Sequence, residues 1–308
     1  MKKIFNRIVS IVILFIITIV SNASAIKSED IDTNYNNKTK QDLLVLMLAY
    51  PEYIKSLEKD TEGFIYLVMK SGKKIIYDDK LVKNYEQKIF KADIQDTLED
   101  LYPLDSINEV REENRDPGRF RVYGFLNEVY GSGEAGVKKN LSNFSTNYGN
   151  LLFNKANNAG DNLKKSLDEA ANLAKSEPRV GGFVYPTCGT FNYRVVQDTG
   201  LLSPHSYGIA IDLNKNDSDY WKWVNKEKGS KRIAEYPKEL VKIFENNGFV
   251  WGGKWAHFDI LHFEYRPEII LKAKYFGDKD NNNSNWSEGA PVDEETNKTI
   301  DMIDKIIN

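Results

Sequence analysis

An α+β fold, with a small antiparallel sheet and helices packed against it, is predicted by three features of this 308-residue sequence. Helical spacing of apolar residues dominates the first half, short β-like runs cluster after Gly181, and no alternating strand–helix–strand rhythm links them. The missing rhythm argues against a doubly wound nucleotide-binding fold. A hydrophobic content of 41% and an aromatic content of 12% supply a core for such a domain.

Taken in order, the chain opens with Lys2, Lys3 and Arg7, continues through an apolar run from Ile8 to Val20, and reaches Ala23-Ser24-Ala25. A charged start, a short apolar run and small residues at a cleavage site predict a secretory signal peptide over 1–25. The apolar run is shorter than the ~20 residues a spanning helix needs. The expectation is cleavage near Ile26, a mature chain outside the cytoplasm or at the cell wall, and no stable membrane span afterwards.

Residues 26–40 read as a polar lead. Leu43, Leu44, Leu46, Met47 and Leu48 predict a helix over 41–58 with a turn at Pro51. A hairpin follows, with arms at 64–69 and 74–77 and Ser71-Gly72 at its tip. Helical spacing returns over 83–102 through Tyr85, Ile89, Ile94, Leu98 and Leu101. This N-terminal accessory segment, 26–102, carries no chemical motif. A second domain is expected over 103–276. Its first part, 103–176, reads as mainly helical, with loops at 116–118 and 131–133. Strand-like runs come next at 182–185, 193–196 and 208–213. A helix over 236–247 stops at Asn247-Gly248, and strands at 249–251 and 262–265 close the domain. Residues 277–308 read as a polar linker and a short terminal helix.

The charge balance narrows the partners. Lys+Arg 42 against Asp+Glu 45 gives a net charge of −3, and loss of residues 1–25 removes three basic residues and no acidic one. A net-negative mature chain without clustered basic side chains argues against nucleic acid as a partner. The single cysteine, Cys188, cannot form an internal disulfide, and a buried, small-hydrophobe role is expected for it. Gly131-Ser-Gly-Glu-Ala-Gly136 matches the letters of the dinucleotide fingerprint, but the residues before it read as the end of a helix rather than a strand. A helix–helix loop is expected there.

Chemistry concentrates in the three histidines, His205, His257 and His262, which fall within 58 residues of one another. Imidazole is a preferred zinc ligand, and catalytic zinc usually takes three protein ligands. His205 and Asp212 stand seven apart, which is about 23 Å along a strand and about 10 Å along a helix. Both can hold one ion only if the chain bends sharply between them, and Gly208 is the residue that takes such a bend at low cost. His262 and Glu264 share a strand face. Asp259, three residues earlier in an expected turn, is a candidate general base, with Glu264 its competitor.

Ser203-x-His205-x-x-Gly208-x-Ala210-x-Asp212, then Trp251-Gly-Gly-x-Trp255 and Asp259-x-x-His262-Phe263-Glu264, resemble the M15 metallopeptidases. That family includes bacterial and phage D-alanyl-D-alanine carboxypeptidases and L-alanyl-D-glutamate endopeptidases, and shares its zinc site with VanX-like dipeptidases and hedgehog-type domains. The Asp-x-x-His-Phe form is closer to the endopeptidase branch. The resemblance covers about 180–272. It implies Zn2+ on His205, Asp212 and His262, with Asp259 as catalytic base. Arg194 would steady substrate or developing negative charge, and Ser203 would form a hydrogen bond near the site. Tyr207 and Trp255 are candidate substrate-binding residues, and His257 has no assigned role beyond that of a hydrogen-bonded turn residue. The function implied is a secreted zinc peptidase acting on peptidoglycan peptides, of the endopeptidase type. A D,D-carboxypeptidase or a catalytically silent zinc-binding module remains the alternative.

Overall fold

The computed structural model describes residues 33–277 and 285–307. The expected signal peptide lies outside them. Among the described residues no helix is long and apolar enough to cross a membrane.

The α+β expectation holds. Helix α1 covers 33–49 and buries Leu43, Leu44 and Leu46. It ends ahead of Pro51, whose ring cannot continue a helix. Beyond the turn the chain is extended rather than helical: β1 (Ile54–Lys59) pairs antiparallel with β2 (Ile65–Met69), which pairs with β3 (Lys74–Ile76). The expected hairpin is therefore two arms of a three-stranded sheet. The expected helical stretch after it is two short helices, α2 (Tyr85–Lys91) and α3 (Ile94–Leu98), each started by a capping box on Asn84 or Asp93.

Helix α4 (Tyr123–Tyr130) turns at Gly131-Ser132 into α5 (Gly133–Asn140), so the glycine-rich stretch is a helix–helix corner and the first turn of the second helix. Gly131 sits there at φ +110°, and a Cβ on it would lie 2.7 Å from the Gly136 backbone. A two-stranded hairpin, β4 (Leu141–Thr146) and β5 (Gly149–Asn154), follows where helix was expected. Helix α6 (Ala159–Ser176) buries Leu163, Leu167 and Ala170 at helical spacing. Helix α7 (Pro178–Val184) replaces the strand expected at 182–185. Pro178 starts it, and Val180 and Val184, four apart, bury one face, which overrides the β preference of Phe183 and Val184. The strand expected at 193–196 is a loop with a single bridge, Val195 to Leu202.

The last sheet positions the site. Strand β6 (Ala210–Asp212) pairs antiparallel with β8 (His262–Tyr265), which pairs on its other edge with β7 (Phe249–Trp251), in the order β6-β8-β7. Helices α8 (Lys226–Glu235) and α9 (Lys238–Asn246) precede β7. Helix α10 (Pro267–Phe276) follows β8, and α11 (Glu294–Ile307) ends the described chain. Phe263, at the centre of the sheet, is buried against Phe244 with ring centroids 4.3 Å apart, and against Trp251 and Tyr236. Burying such a ring contributes roughly 1.5–3 kcal/mol, so the strand carrying His262 is anchored by its neighbour in sequence.

One buried cluster runs from Leu43 to Ile307 and includes residues of the N-terminal segment and of the sheet. Polar contacts cross the same boundary. Tyr50 donates to Glu268 (2.6 Å), Tyr102 donates to Glu245 (2.6 Å), and Lys272 pairs with Asp42 (2.6 Å).

Candidate active site

His205 lies in a 3-10 turn, Pro204–Tyr207, and its backbone N–H donates to the Ser203 hydroxyl at 3.3 Å. Gly208 ends the turn at φ +66°, ψ +34°, the left-handed region that glycine enters without penalty. The predicted bend is there, and it throws the chain back into β6. Asp212 and His262 are direct partners across the β6–β8 ladder. Turn and ladder together bring His205 Nε2, Asp212 Oδ1 and His262 Nδ1 into one cluster. The separations are 3.2 Å (His205–Asp212), 3.3 Å (His205–His262) and 2.9 Å (Asp212–His262).

These distances fit a tetrahedral zinc. Ligand bonds of 2.0–2.1 Å imply donor–donor edges of about 3.3–3.4 Å. Two imidazoles and one carboxylate are also a known catalytic zinc set. Each histidine is oriented by its second nitrogen. His205 Nδ1 donates to the Thr190 carbonyl at 2.5 Å, leaving the Nε2 lone pair directed at the cluster. His262 Nε2 faces the Glu264 carboxylate at 3.8 Å, leaving Nδ1 directed inward. Burial alone would raise the Asp212 pKa, but hydrogen bonds and charge from His205 and His262 hold it below the usual carboxylate range. Burial opposes a proton on His262, yet Asp212 and Glu264 outweigh it and push that pKa up to about 10.

Glu264 is fully buried and is not free for catalysis. Arg121 Nε donates to its Oε1 at 3.0 Å while Arg121 Nη2 pairs with Oε2, and Arg266 Nη1 stands 3.6 Å from Oε1. Burial would raise the Glu264 pKa, but the two guanidinium groups and the His262 ring hold it well below the ordinary value.

Asp259 occupies the turn before β8. Its N–H donates to the Gly252 carbonyl (3.0 Å), and its own carbonyl accepts from His262 N (3.1 Å). A Cβ on Gly252 would come within 2.4 Å of the Asp259 carbonyl, so the glycine is what allows this approach. The Asp259 carboxylate is half-buried and makes no hydrogen bond among the described residues. Removal from water, together with the nearby Asp212 charge, pushes it up to about 6, with His262 and Arg119 acting in the opposite direction. That value suits a group exchanging a proton near neutral pH.

The remaining expected residues fall elsewhere. Arg194 is exposed, and its side chain makes no ion pair or hydrogen bond among the described residues. Its backbone is clamped to the histidine turn, with N donating to Ser206 Oγ (2.9 Å) and the carbonyl accepting from Ser203 N (3.1 Å). Tyr207 and Trp255 are 1% and 3% exposed, which corrects their expected place on a cleft wall. Tyr207 donates to Asn127 (2.8 Å) and Trp255 Nε1 donates to the Pro117 carbonyl (2.8 Å), so core packing and a buried hydrogen bond account for both. His257 stays out of the triad and pairs through Nδ1 with Asp116 at 2.6 Å, as a hydrogen-bonded turn residue. Cys188 is exposed, not buried, and its N–H donates to the Asp212 carbonyl at 2.8 Å. Thr190, Arg121 and Asp116 support the site without a sequence signal. A carbonyl carries no residue code, and the two charged residues stand far from their partners in the chain.

A nitrogen–nitrogen–oxygen donor set can hold a catalytic zinc, and a carboxylate beside it can serve as a general base. Residues 197–265, which span the histidine turn, β6, the Asp259 turn and β8, match an M15 peptidase family model described as D-alanyl-D-alanine carboxypeptidase. The matched segment holds the His205–Asp212–His262 group. Neither the curated proteins nor the solved structures include a match to this chain.

Proposed function

We propose that this chain is a secreted, zinc-dependent peptidase that hydrolyses peptide bonds in bacterial peptidoglycan, of the L-alanyl-D-glutamate endopeptidase type. The observation that carries the reading is the convergence of His205 Nε2, Asp212 Oδ1 and His262 Nδ1 at zinc-ligand spacing, with Asp259 beside them. Bound there, zinc supplies a Lewis acid that makes water acidic enough to ionise near neutral pH and polarises the scissile carbonyl.

The chain's own residues do the rest. Thr190 and Glu264 hold the second nitrogens of His205 and His262, which would leave Nε2 of His205 and Nδ1 of His262 as the atoms that hold the metal. Asp259 takes the proton of the attacking water at its carboxylate and returns it to the leaving amine. Arg121 and Arg266 keep Glu264 ionised and in place. Asp259 also separates this reading from a silent metal-binding module, which has no use for a free carboxylate at that position. Export rests on the N-terminal sequence, with its charged start, apolar run and Ala23-Ser24-Ala25.

The description of the matching family model favours a second reading, a D,D-carboxypeptidase. Digestion of purified cell wall with the zinc-loaded protein separates the two. New amino-terminal D-glutamate supports the endopeptidase, release of free D-alanine supports the carboxypeptidase, and neither product refutes wall hydrolysis.

A further inference from the structure

The family match begins at residue 197, yet one wall of the catalytic turn is built from residues 115–121. The Arg115 carbonyl accepts from Ala256 N (3.0 Å) and the Pro117 carbonyl from Trp255 Nε1 (2.8 Å). The Asp116 carboxylate, wholly buried, accepts from His257 N (2.9 Å) and pairs with its Nδ1 (2.6 Å). Arg119 completes the contact. Its Nη1 donates to the His257 carbonyl at 2.8 Å, and its guanidinium lies over the Trp255 indole, 5.8 Å from the ring centre. That indole lies 5.7 Å from the His262 ring, so one ring separates Arg119 from the triad.

Of the cations near the site, Arg194 is exposed and pairs with no carboxylate among the described residues, whereas those packed against the sheet are matched. Arg121 and Arg266 hold Glu264, and Lys254 holds Glu245 at 2.5 Å. Arg119 uses a single N–H on His257; its nearest carboxylate oxygen, on Asp116, is 3.9 Å away, and its side chain is 23% exposed. A guanidinium carries five N–H donors in a rigid fork suited to a carboxylate. Here the fork is fixed by a carbonyl on one side and an indole on the other, with donors left over at the rim of the catalytic turn.

We propose that Arg119 is a specificity-determining residue that binds a carboxylate of the peptide substrate near the scissile bond. An extended peptide advances about 3.5 Å per residue, so a carboxylate one to three residues from the scissile carbonyl covers the separation that the buried indole sets between Arg119 and His262. The inference rests on the peptidase reading for its substrate class, and it assigns the segment ahead of the family match a part in choosing that substrate.

The test uses the zinc-loaded full chain and pairs of wall peptides that differ only in one free carboxylate or its carboxamide. Wild type is expected to favour the acid. Arg119→Ala should lose about 10- to 100-fold in kcat/KM on the acid, mainly through KM, as expected for a charged hydrogen bond. The same variant should change little on the amide, and Arg119→Lys should recover part of the loss. Equal losses on acid and amide would show a purely structural role and overturn the inference. Calorimetric binding of the same peptides to zinc-loaded Asp259→Asn, with and without Arg119→Ala, needs no turnover. If no peptide is cleaved but an Arg119-dependent preference for the acid persists in binding, the peptidase reading fails and this one stands. If binding shows no such preference, the Arg119 assignment is wrong whatever the activity.

Discussion

Replacing Gly208 with alanine tests the bend that brings His205 onto Asp212. Gly208 sits at φ +66°, where a Cβ costs about 1–2 kcal/mol. The new methyl would also lie 2.7 Å from Leu141 Cδ2 and 3.3 Å from the Asn154 backbone nitrogen. Leu141 can rotate away. Asn154 cannot, because its N–H donates to the Gly208 carbonyl at 2.9 Å. Crowding of this kind adds about 1–3 kcal/mol, so Gly208→Ala should destabilise the metal-stripped protein by about 2–5 kcal/mol in urea unfolding. Displacement of the His205 turn should also weaken zinc about 10–100-fold, the size of effect seen when support around a ligand is lost, measured against a competing chelator. Gly200→Ala is the control. It has a similar φ of +68° with no atom within 4 Å of the added Cβ, so it should cost only the left-handed term and leave zinc affinity unchanged. If Gly208→Ala behaves like Gly200→Ala in both assays, the bend is not what assembles the cluster.

Three further outcomes are expected. His262→Ala should abolish tight zinc binding, while His257→Ala should keep about one zinc per chain and lose stability through its Asp116 bond; metal analysis after dialysis checks both, and the reverse pattern refutes the ligand assignment. Asp259→Ala should keep zinc and fold but lower turnover by about 10²–10⁴-fold, whereas Glu264→Ala should unfold more easily, by about 3–5 kcal/mol, because Arg121 and Arg266 are left buried without their partner. A folded, metallated but inactive Glu264→Ala beside an active Asp259→Ala would move the base to Glu264. Asp116 is buried, which would raise its pKa, but His257, Arg119 and Tyr85 hold it below the usual value. A depressed carboxylate stabilises the fold above its unfolded pKa near 4 and loses that contribution as pH falls through the folded value. Acid unfolding followed by circular dichroism should therefore be shallower below about pH 4 in Asp116→Asn than in wild type, and parallel curves would refute the coupling.

The ligand set came from the resemblance of the motifs to a family; local logic alone supplied the need for a bend at Gly208. Two histidines, an aspartate and a glycine at the one point where a bend is required restrict the backbone strongly. Asp212 and His262 could not be paired from spacing alone, since their ladder register is set by the burial of Phe263 and Trp251 around them. The hairpin at 141–154 was hidden because its first arm is polar, with Ser142, Asn143 and Ser145, and its second carries a short apolar run, Leu151 to Phe153, without alternation. The helix at 178–184 was hidden by two glycines and a β-prone Phe-Val pair; only its first residue, Pro178, signalled a helix start. Arg121, Asp116 and Arg119 act on residues more than 130 positions away, where no sequence spacing points.

Cys188 offers a use that its chemistry alone does not suggest. It is the chain's one thiol, it is exposed, and its backbone is tied to the carbonyl of Asp212. A fluorophore or spin label attached there modifies a single known position without any substitution. Because the tether leads straight to Asp212, such a label would report on that strand end as zinc is added, in real time and in the native sequence.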